Sequence, residues 1–234
     1  MKIRVINPDW GMTEKQMQDR CAYLQKYVSE DTVIEMECLT KTRVYLDTVA
    51  DAVLAGPEIL EMAVRAEAEG ADAIVLYCFS DPAMEACRQM VSIPVVGAGQ
   101  SACLLIPVLG YQGVILIADE QRIPEKMVSF YRMGLETDRI AGFEAVQAHG
   151  LDPFKNREQM LEALAAAGKR ALQKDGATVL VLGCLSFLGV AQELSERLQI
   201  PVIDPATHAV ATAEILARQH LKNSQLAYYR KNKI

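Results

Sequence analysis

The sequence predicts an α/β protein made of two similar halves, each with a four-stranded parallel sheet flanked by helices. Short apolar, β-branched runs alternate with longer segments of helical periodicity along the 234 residues. That alternation is typical of parallel strands joined by helical crossovers. In addition, two distant stretches repeat the same pattern around a cysteine, which indicates that one α/β unit occurs twice.

The strands are predicted from the apolar runs, and the helices from the segments between them. The predicted strands are Ile3–Ile6, Val33–Cys38, Ala73–Tyr77, Val95–Val96, Val114–Ala118, Phe143–Val146, Val179–Leu182 and Val202–Ile203. The second strand alternates apolar with acidic residues, so we expect an edge strand with one solvated face. Helical periodicity is clear over residues 13–28, where Met17, Cys21 and Leu24 share one apolar stripe.

The repeat joins residues 70–80 to residues 176–186. The segments read GADAIVLYCFS and GATVLVLGCLS, and six of their eleven positions are identical. Further along each half, Ile93-Pro94-Val95 matches Ile200-Pro201-Val202. Each half therefore contains the same strand, cysteine loop and following strand.

The starts of the two halves also correspond, because residues 6–9 align with residues 117–120. From these matches we predict that residues 1–97 and 205–234 form one lobe, to which the C-terminal helix returns. Residues 98–204 form the other lobe. Open parallel sheets bind ligands at the carboxyl ends of their strands, so we expect the active site in a cleft between the lobes.

Composition narrows the functional classes. The net charge is −6, which disfavours a nucleic-acid partner, and no apolar run is long enough to predict a membrane span. The N-terminal residues fit a strand better than a signal peptide, so we expect a cytoplasmic protein with reduced cysteines. The sequence shows neither zinc-type Cys/His spacing nor a glycine-rich nucleotide motif, so we expect no metal and no organic cofactor.

Cys78 and Cys184 are the predicted catalytic residues. Each follows an apolar strand and precedes a helix, where free backbone N–H groups favour the thiolate form. If the two halves face each other, the thiols flank one small-molecule substrate. Removing a proton from one face of a carbon and returning one to the other inverts its configuration. The sequence therefore predicts a cofactor-independent racemase or epimerase that uses two bases.

The loops after the cysteines are predicted to bind the substrate. Loss of the carbon-bound proton leaves an enolate, whose oxygen needs N–H or hydroxyl donors. Loops 79–81 and 185–187 supply such groups, although their serines fit helix caps equally well. The predicted substrate-binding residues are Asn7, Phe79, Ser80, Leu185 and Ser186.

The remaining candidates are interpreted more conservatively. Cys21, Cys38, Cys87 and Cys103 are interpreted as small apolar packing residues. Arg43 and Tyr45 follow the second strand; Arg43 could pair with a substrate carboxylate, but an ordinary surface arginine is favoured. His208, at a predicted helix start, could act as an electrostatic partner of Cys184, but a capping or structural role is favoured.

The motifs together resemble the Asp/Glu/hydantoin racemase superfamily, especially its hydantoin and allantoin racemase branch. The resemblance covers nearly the whole chain. It rests on Ile6-Asn7-Pro8 with Met12-Thr13, Asp72–Val75, Cys78–Pro82, Pro94–Gly97, Val181–Cys184 and Pro201–Asp204. It implies two Rossmann-like lobes, proton transfer by Cys78 and Cys184 without pyridoxal phosphate, and a homo-oligomer of two or more subunits.

Three functions stay open at this point. The first is a racemase or epimerase acting on a hydantoin-type or amino-acid-derived carbon acid. The second is a maleate-type cis–trans isomerase or an arylmalonate-type decarboxylase of the same superfamily; the decarboxylase needs only one cysteine, so the matched pair disfavours it. The third is a non-enzymatic, two-lobed protein that binds a small ligand without turnover.

Overall fold

The chain folds as two compact units, each built around one parallel sheet. A computed structural model describes residues 1–134, 137–146, 151–152 and 154–228. Unit 1 comprises Met1–Ala98 and the chain from Ala209 onward, and unit 2 comprises Gly99–His208. Each sheet has four strands, and every neighbouring pair is parallel. The predicted α/β class with two four-stranded parallel sheets is confirmed.

The sheet of unit 1 has the strand order β2-β1-β3-β4. Its strands are β1 (Lys2–Trp10), β2 (Val33–Leu39), β3 (Ala73–Leu76) and β4 (Val95–Gly97). The helices between them are α1 (Glu14–Leu24), α2 (Val49–Ala68) and α3 (Met84–Met90). The inner strand β3 is buried along its whole length, and β1 is buried from Ile3 to Pro8, as expected for a parallel sheet covered on both faces.

The sheet of unit 2 has the equivalent order β6-β5-β7-β8. Its strands are β5 (Gly113–Ile117), β6 (Ile140–Ala145), β7 (Val179–Leu182) and β8 (Val202–Ile203). The remaining helices are α4 (Ala98–Cys103), α5 (Ile106–Leu109), α6 (Ile123–Arg132), α7 (Arg157–Lys174), α8 (Ala191–Leu198) and α9 (Pro205–Arg218). The two sheets have the same strand order, so the repeat seen in the sequence is also a repeat of topology.

The strand registers correct one detail of the predicted repeat. Ile6 lies opposite Leu76 in unit 1, and Leu116 lies opposite Leu182 in unit 2. The structural counterpart of Ile6 is therefore Leu116, one residue before the predicted Ile117. Because β5 is buried along its whole length, its apolar pattern has no alternation that could fix the register.

The predicted edge strand is confirmed, because β2 lies at the edge of its sheet. Its acidic residues form ion pairs rather than facing solvent alone. Arg4 contacts Glu35 at 3.0 Å and Glu37 at 3.1 Å, and Arg65 also binds Glu37. The polar face of β2 is thus neutralised by two arginines.

The helix predicted over residues 13–28 is shorter in the structure. It begins as expected after Thr13, whose hydroxyl accepts from the Gln16 N–H while the Gln16 side chain accepts from the Thr13 N–H. That reciprocal pair is a capping box. The helix ends at Leu24 and tightens into a 3₁₀ turn at Gln25–Tyr27, as helix termini often do.

The C-terminal segment belongs to unit 1. Glu214 on α9 accepts hydrogen bonds from the Ser29 N–H and the Thr32 hydroxyl. Beyond the helix, the Asn223 side chain donates to the carbonyls of Val91, at 3.1 Å, and Ile93, at 2.6 Å. The chain therefore leaves unit 1 after β4, forms unit 2, and returns to complete unit 1.

Candidate functional site

Cys78 lies at the carboxyl end of an inner strand of unit 1. It lies two residues after the end of β3, and the N–H of the intervening Tyr77 still donates to the Ile6 carbonyl at 2.8 Å. Asn7, the residue after Ile6, is therefore on the neighbouring strand at the same edge of the sheet. The Cys78 side chain is half-buried, so it combines packing on one side with access on the other.

Cys184 occupies the same position in unit 2. The Gly183 N–H donates to the Leu116 carbonyl at 2.7 Å, and Cys184 follows at the end of the inner strand β7. It precedes a 3₁₀ turn at Leu185–Phe187, and its side chain is half-buried like that of Cys78. Each cysteine thus follows the third strand of its unit, beside the end of the first.

The thiol of Cys184 has a hydroxyl partner on its own loop. Its Sγ lies 2.9 Å from the Ser186 Oγ, and either group can donate in this hydrogen bond. A hydroxyl that donates to sulfur stabilises the thiolate, and one that accepts from sulfur orients the thiol. The pair can therefore serve Cys184 in either protonation state.

Part of the predicted donor set is already used inside the loops. The Asp81 N–H donates to the Cys78 carbonyl at 3.1 Å, and the Phe187 N–H donates to the Cys184 carbonyl at 3.0 Å. These two amides are therefore engaged within their own loops, and the assignment of enolate donors to loops 79–81 and 185–187 stays a prediction. Tight loops satisfy their own backbone groups first, because an unpaired buried N–H is costly.

The predicted substrate-binding residues are mostly enclosed. Asn7 is 1% exposed and its amide group lies 3.9 Å from the Met12 sulfur. Phe79 and Leu185 are 2% and 5% exposed, so neither presents an open surface. Ser80 is buried as well, whereas Ser186 is half-buried beside Cys184. The assignment of these five residues to substrate stays a prediction.

The loop after Cys78 contains unusual backbone conformations. Asp81 has φ of 45° and Ala83 has φ of 59°, in the left-handed region that non-glycine residues seldom adopt. Such conformations persist where the surrounding structure fixes them, often at functional sites. Asp81 and Asp204, a second buried carboxyl close to a cysteine loop, were not among the predicted site residues.

The other four cysteines match their interpretation as packing residues. Burial raises the pKa of the Cys87 thiol to about 12. Burial also raises the pKa of Cys21 and of Cys38, whose thiol donates to the Met12 carbonyl at 3.6 Å. Cys103 is buried as well. All six cysteines are free of disulfide bonds, and the raised pKa values of Cys21, Cys38 and Cys87 disfavour their thiolate forms.

Arg43 and Tyr45 lie on the loop after β2. The Arg43 guanidinium sits over the Trp10 ring, 5.2 Å from its centroid, in a cation–π contact. The Trp10 N–H donates to the Val44 carbonyl at 2.9 Å, which attaches the loop to the end of β1. Both Arg43 and Tyr45 are exposed, consistent with the favoured interpretation as surface residues.

His208 is poorly suited to be a cationic partner of Cys184. It is half-buried near the start of α9, and burial lowers its pKa. A lowered pKa keeps the imidazole neutral at physiological pH. The structural interpretation of His208 is therefore the better supported.

Neither a metal-ligand cluster nor a membrane span occurs in the ranges of chain described above. No three His, Cys, Asp or Glu side chains among those residues group as metal ligands. Each helix there is too short or too polar to cross a lipid bilayer.

Comparisons with known proteins relate the whole chain to one family. The profile of the family described as Asp/Glu/Hydantoin racemase matches residues 3–213. A protein named hydantoin racemase, from Paenarthrobacter aurescens, is 30% identical over 232 residues, which cover 99% of this chain and 97% of that protein. Thus the similarity extends across both units.

Two solved structures show the same fold. Allantoin racemase from Klebsiella pneumoniae superimposes with a TM-score of 0.88 at 24% identity, covering 100% of this chain and 95% of that one. A liganded double mutant of arylmalonate decarboxylase gives a TM-score of 0.68 at 17% identity, covering 92% of each chain. At these identities the likeness concerns the fold alone.

Proposed function

Because this chain belongs to the Asp/Glu/hydantoin racemase family, and is thus an isomerase, we propose that it racemises a hydantoin-type substrate with two cysteines. Cys78 and Cys184 are the proposed acid and base. One observation carries the proposal: two half-buried thiols occupy equivalent places at the ends of the inner strands β3 and β7. A packing role explains one such cysteine more readily than a matched pair.

The proposed reaction needs only the two thiols. The thiolate of one cysteine removes the proton from the stereocentre, and the electron pair of the C–H bond moves into the adjacent carbonyl to give an enolate. The thiol of the other cysteine then gives its own proton to the opposite face of that carbon. Bonds and charge balance, since one S–H forms and the other breaks. The reverse direction exchanges the two roles.

Stabilisation of the enolate is the largest demand on this site. An ordinary thiol has a pKa of about 8.5, far below that of most carbon acids, so proton removal must be helped by donors directed at the enolate oxygen. We assign this task to the loops that contain Phe79, Ser80, Leu185 and Ser186. The Ser186 hydroxyl lies next to the Cys184 sulfur, where it also stabilises the thiolate.

A hydantoin ring suits these residues better than a free amino acid. The anion formed at the ring stereocentre is delocalised over the adjacent carbonyl, which lowers the barrier to proton removal. A free amino acid instead needs cationic groups for its carboxylate, and the candidate for that role, Arg43, is exposed and stacked on Trp10. The names of the similar proteins, hydantoin racemase and allantoin racemase, support the same substrate class.

The alternatives within the superfamily predict different products. An arylmalonate-type decarboxylase releases carbon dioxide with a single thiol as the proton donor, so the second cysteine would have no role in it. A maleate-type isomerase uses one cysteine as a nucleophile and changes double-bond geometry. Since neither reaction exchanges the proton of a pure enantiomer with solvent, the products discriminate among the three.

Cellular setting follows from the thiol chemistry. We propose a cytoplasmic location, because the reaction needs two reduced cysteines and the protein has six free thiols. Following the family resemblance, we also propose a homo-oligomer.

The test uses single enantiomers in deuterated water. We incubate the protein with L- and D-forms of 5-substituted hydantoins, allantoin, aspartate and glutamate, and follow optical rotation and deuterium at the stereocentre. We expect racemisation with deuterium uptake for a hydantoin-type substrate. Cys78→Ser and Cys184→Ser should each lower racemisation by about a thousandfold, the range ascribed to acid–base groups.

The two variants should also differ from each other. Each retains one thiol, so each should exchange the proton of one enantiomer only, and the two variants should favour opposite hands. Cys21→Ala in unit 1 and Cys103→Ala in unit 2 are matched controls that should keep full activity. Racemisation that survives the loss of either Cys78 or Cys184 would contradict the two-base assignment.

A further inference from the structure

A buried carboxylate ties the Cys184 loop to the helix by which the chain leaves unit 2. Asp204 follows β8 and is 8% exposed. Its Oδ2 accepts from the Gly189 N–H at 2.9 Å, and its Oδ1 accepts from the N–H groups of Ala206 at 3.0 Å and Thr207 at 3.5 Å. One oxygen thus caps α9 and the other holds the cysteine loop.

The residue that Asp204 holds is a fixed point of that loop. Gly189 has φ of 85°, a left-handed conformation that glycine adopts without strain. Its carbonyl accepts from the Arg157 guanidinium at 2.8 Å. Between Cys184 and Gly189 lies only the 3₁₀ turn Leu185–Phe187 and one further residue. An anchor at Gly189 therefore restricts where the Cys184 sulfur can lie.

In unit 1 the place equivalent to that of the Asp204 side chain is filled by a residue of the loop instead of the strand end. Leu76 lies opposite Gly97 in the sheet of unit 1, and Asp204 is the corresponding residue in unit 2, one position beyond the Val181–Ile203 pair. A methyl group built on Gly97 would overlap the Asp81 carboxyl. The loop carboxyl of Asp81 therefore occupies the space that the strand-end side chain of Asp204 occupies in unit 2.

We propose that Asp204 and Asp81 are positioning residues for Cys184 and Cys78, and that duplication has left one buried carboxyl behind each cysteine loop, supplied by the strand end in unit 2 and by the loop in unit 1. The proposal rests on the proposed function, since it assigns the carboxyls to the two thiols of that reaction. In this role each carboxyl acts by holding its loop rather than by contact with the substrate.

The cost of burying Asp204 argues that its carboxyl serves a purpose. Burial raises the pKa of Asp204, and the N–H groups of Gly189, Ala206 and Thr207 oppose that change only in part. A buried acidic group without hydrogen bonds is strongly destabilising. Asparagine cannot replace it, because its single carbonyl oxygen cannot accept at both the α9 cap and the Gly189 N–H.

The first test reads each thiol separately. We combine Asp204→Asn with Cys78→Ser, which leaves Cys184 as the proton-transfer group, and with Cys184→Ser, which leaves Cys78. Deuterium uptake by the enantiomer that Cys184 serves should fall about tenfold, the factor for one ordinary hydrogen bond. Uptake through Cys78 should stay within about twofold, as for a distant site. Asp81→Asn should give the opposite pattern.

A general loss of stability would slow proton exchange through both Cys78 and Cys184. A loss through one thiol alone therefore identifies a positioning role. Equal loss through both thiols, or no loss through either, overturns the proposal. Wild-type protein without deuterium uptake for any substrate would instead refute the proposed function, and the next measurement then decides the positioning alone.

The second test follows the loops by hydrogen exchange and mass spectrometry. Asp204→Asn should speed amide exchange in residues 184–190 and leave residues 78–83 unchanged, and Asp81→Asn should do the reverse. Arg157→Gln, a surface change that removes the contact to the Gly189 carbonyl, should loosen residues 184–190 even if Asp204→Asn does not fold. The matched control is Arg170→Gln on the same helix α7, where the arginine binds the Ala145 carbonyl. Equal protection of both loops in every variant would overturn the inference.

Discussion

At the residue scale, the surroundings of the two cysteines differ more than their positions do. The residue before Cys184 is Gly183, and a methyl group there would lie 2.8 Å from the Leu116 carbonyl oxygen and 2.6 Å from Ile115. The residue before Cys78 is instead the buried Tyr77. Equivalent strand ends therefore differ in the residue that precedes each thiol, a buried tyrosine in unit 1 and a tightly packed glycine in unit 2.

Ser186 supplies the first prediction at this scale. Ser186→Ala removes the hydroxyl 2.9 Å from the Cys184 sulfur. Because a hydrogen bond to a charged group is worth about 1.5–3 kcal/mol, we expect proton exchange through Cys184 to fall about tenfold or more. The measurement is deuterium uptake by each enantiomer, with Cys78→Ser and Cys184→Ser as the two backgrounds.

Ser195→Ala is the matched control, since the Ser195 hydroxyl binds the Ile200 carbonyl elsewhere in unit 2. This variant should lower stability slightly and leave deuterium uptake through Cys78 and through Cys184 unchanged. A Ser186→Ala protein with unchanged uptake through Cys184 would mean that the hydroxyl has no part in proton transfer.

At the element scale, the loop after β2 is held to α2 by one carboxylate. Glu58 accepts from the N–H groups of Thr40 at 2.7 Å, Lys41 at 3.0 Å and Thr42 at 2.7 Å. Burial alone would raise the pKa of Glu58, but these bonds outweigh burial and lower that pKa to about 2. The loop that presents Arg43 and Tyr45 is thus fixed at its start.

The lowered pKa of Glu58 predicts a pH-dependent stability. A carboxyl whose pKa is lower in the folded state stabilises it above the unfolded pKa, and that contribution is lost as protons bind the folded form. The free energy of unfolding should therefore decline as pH falls from about 4.5 towards about 2. Urea unfolding at several pH values measures this decline.

Glu58→Gln should lower stability at neutral pH and flatten that decline, because an amide has a single oxygen to accept three N–H bonds. Glu61→Gln, on the exposed face of the same helix, loses only a surface ion pair with Lys41, so its profile should match that of the wild type. An unchanged profile in Glu58→Gln would contradict the role given to this carboxylate.

Local sequence predicts most elements of this fold, and pairing decides the rest. The limits of β7 and β8 match the predicted runs, since both are short, β-branched and bounded by turn residues. In β6, however, the strand begins at Ile140 and includes Gly142, whose weak strand propensity hid the start until pairing with β5 imposed it. Likewise β1 runs past Pro8 to Trp10, with a register shift between Asn7 and Trp10 where proline cannot donate to the ladder.

At the scale of the whole molecule, the C-terminal segment contacts residues of unit 1 that are more than a hundred positions earlier in the sequence. Asn223→Ala removes the side-chain bonds to the carbonyls of Val91 and Ile93. We expect the free energy of unfolding to fall by about 1–3 kcal/mol, because two backbone acceptors lose a partner. Urea denaturation measures this loss.

Gln225→Ala is the appropriate control, since the exposed Gln225 makes one long bond, 3.4 Å, to the Asn223 carbonyl. It should unfold like the wild type. Equal stability of all three proteins would show that the segment after α9 adds nothing to unit 1.

The candidate site could be predicted from the sequence only where the two halves agree. The repeat placed Cys78 and Cys184 after equivalent strands because the same letters recur in the same order. It could not find Asp81 and Asp204, because the alignment sets Asp204 against Gly97 and so hides two carboxyls that fill one place. An aspartate in one half opposite a glycine in the other was the available signal, but its meaning depends on a loop conformation that sequence does not specify.

The buried acid comes from the cysteine loop in unit 1 and from the strand end in unit 2, and this difference limits how the two halves can be engineered. A symmetric protein assembled by joining the Cys78 loop to the strand end of unit 2 would crowd two acids, Asp81 and Asp204, into a single buried space. The opposite chimera, with the Cys184 loop and Gly97, would contain neither acid and would leave the Gly189 amide unsatisfied. A cysteine loop and its strand end can therefore be moved from one half to the other only together.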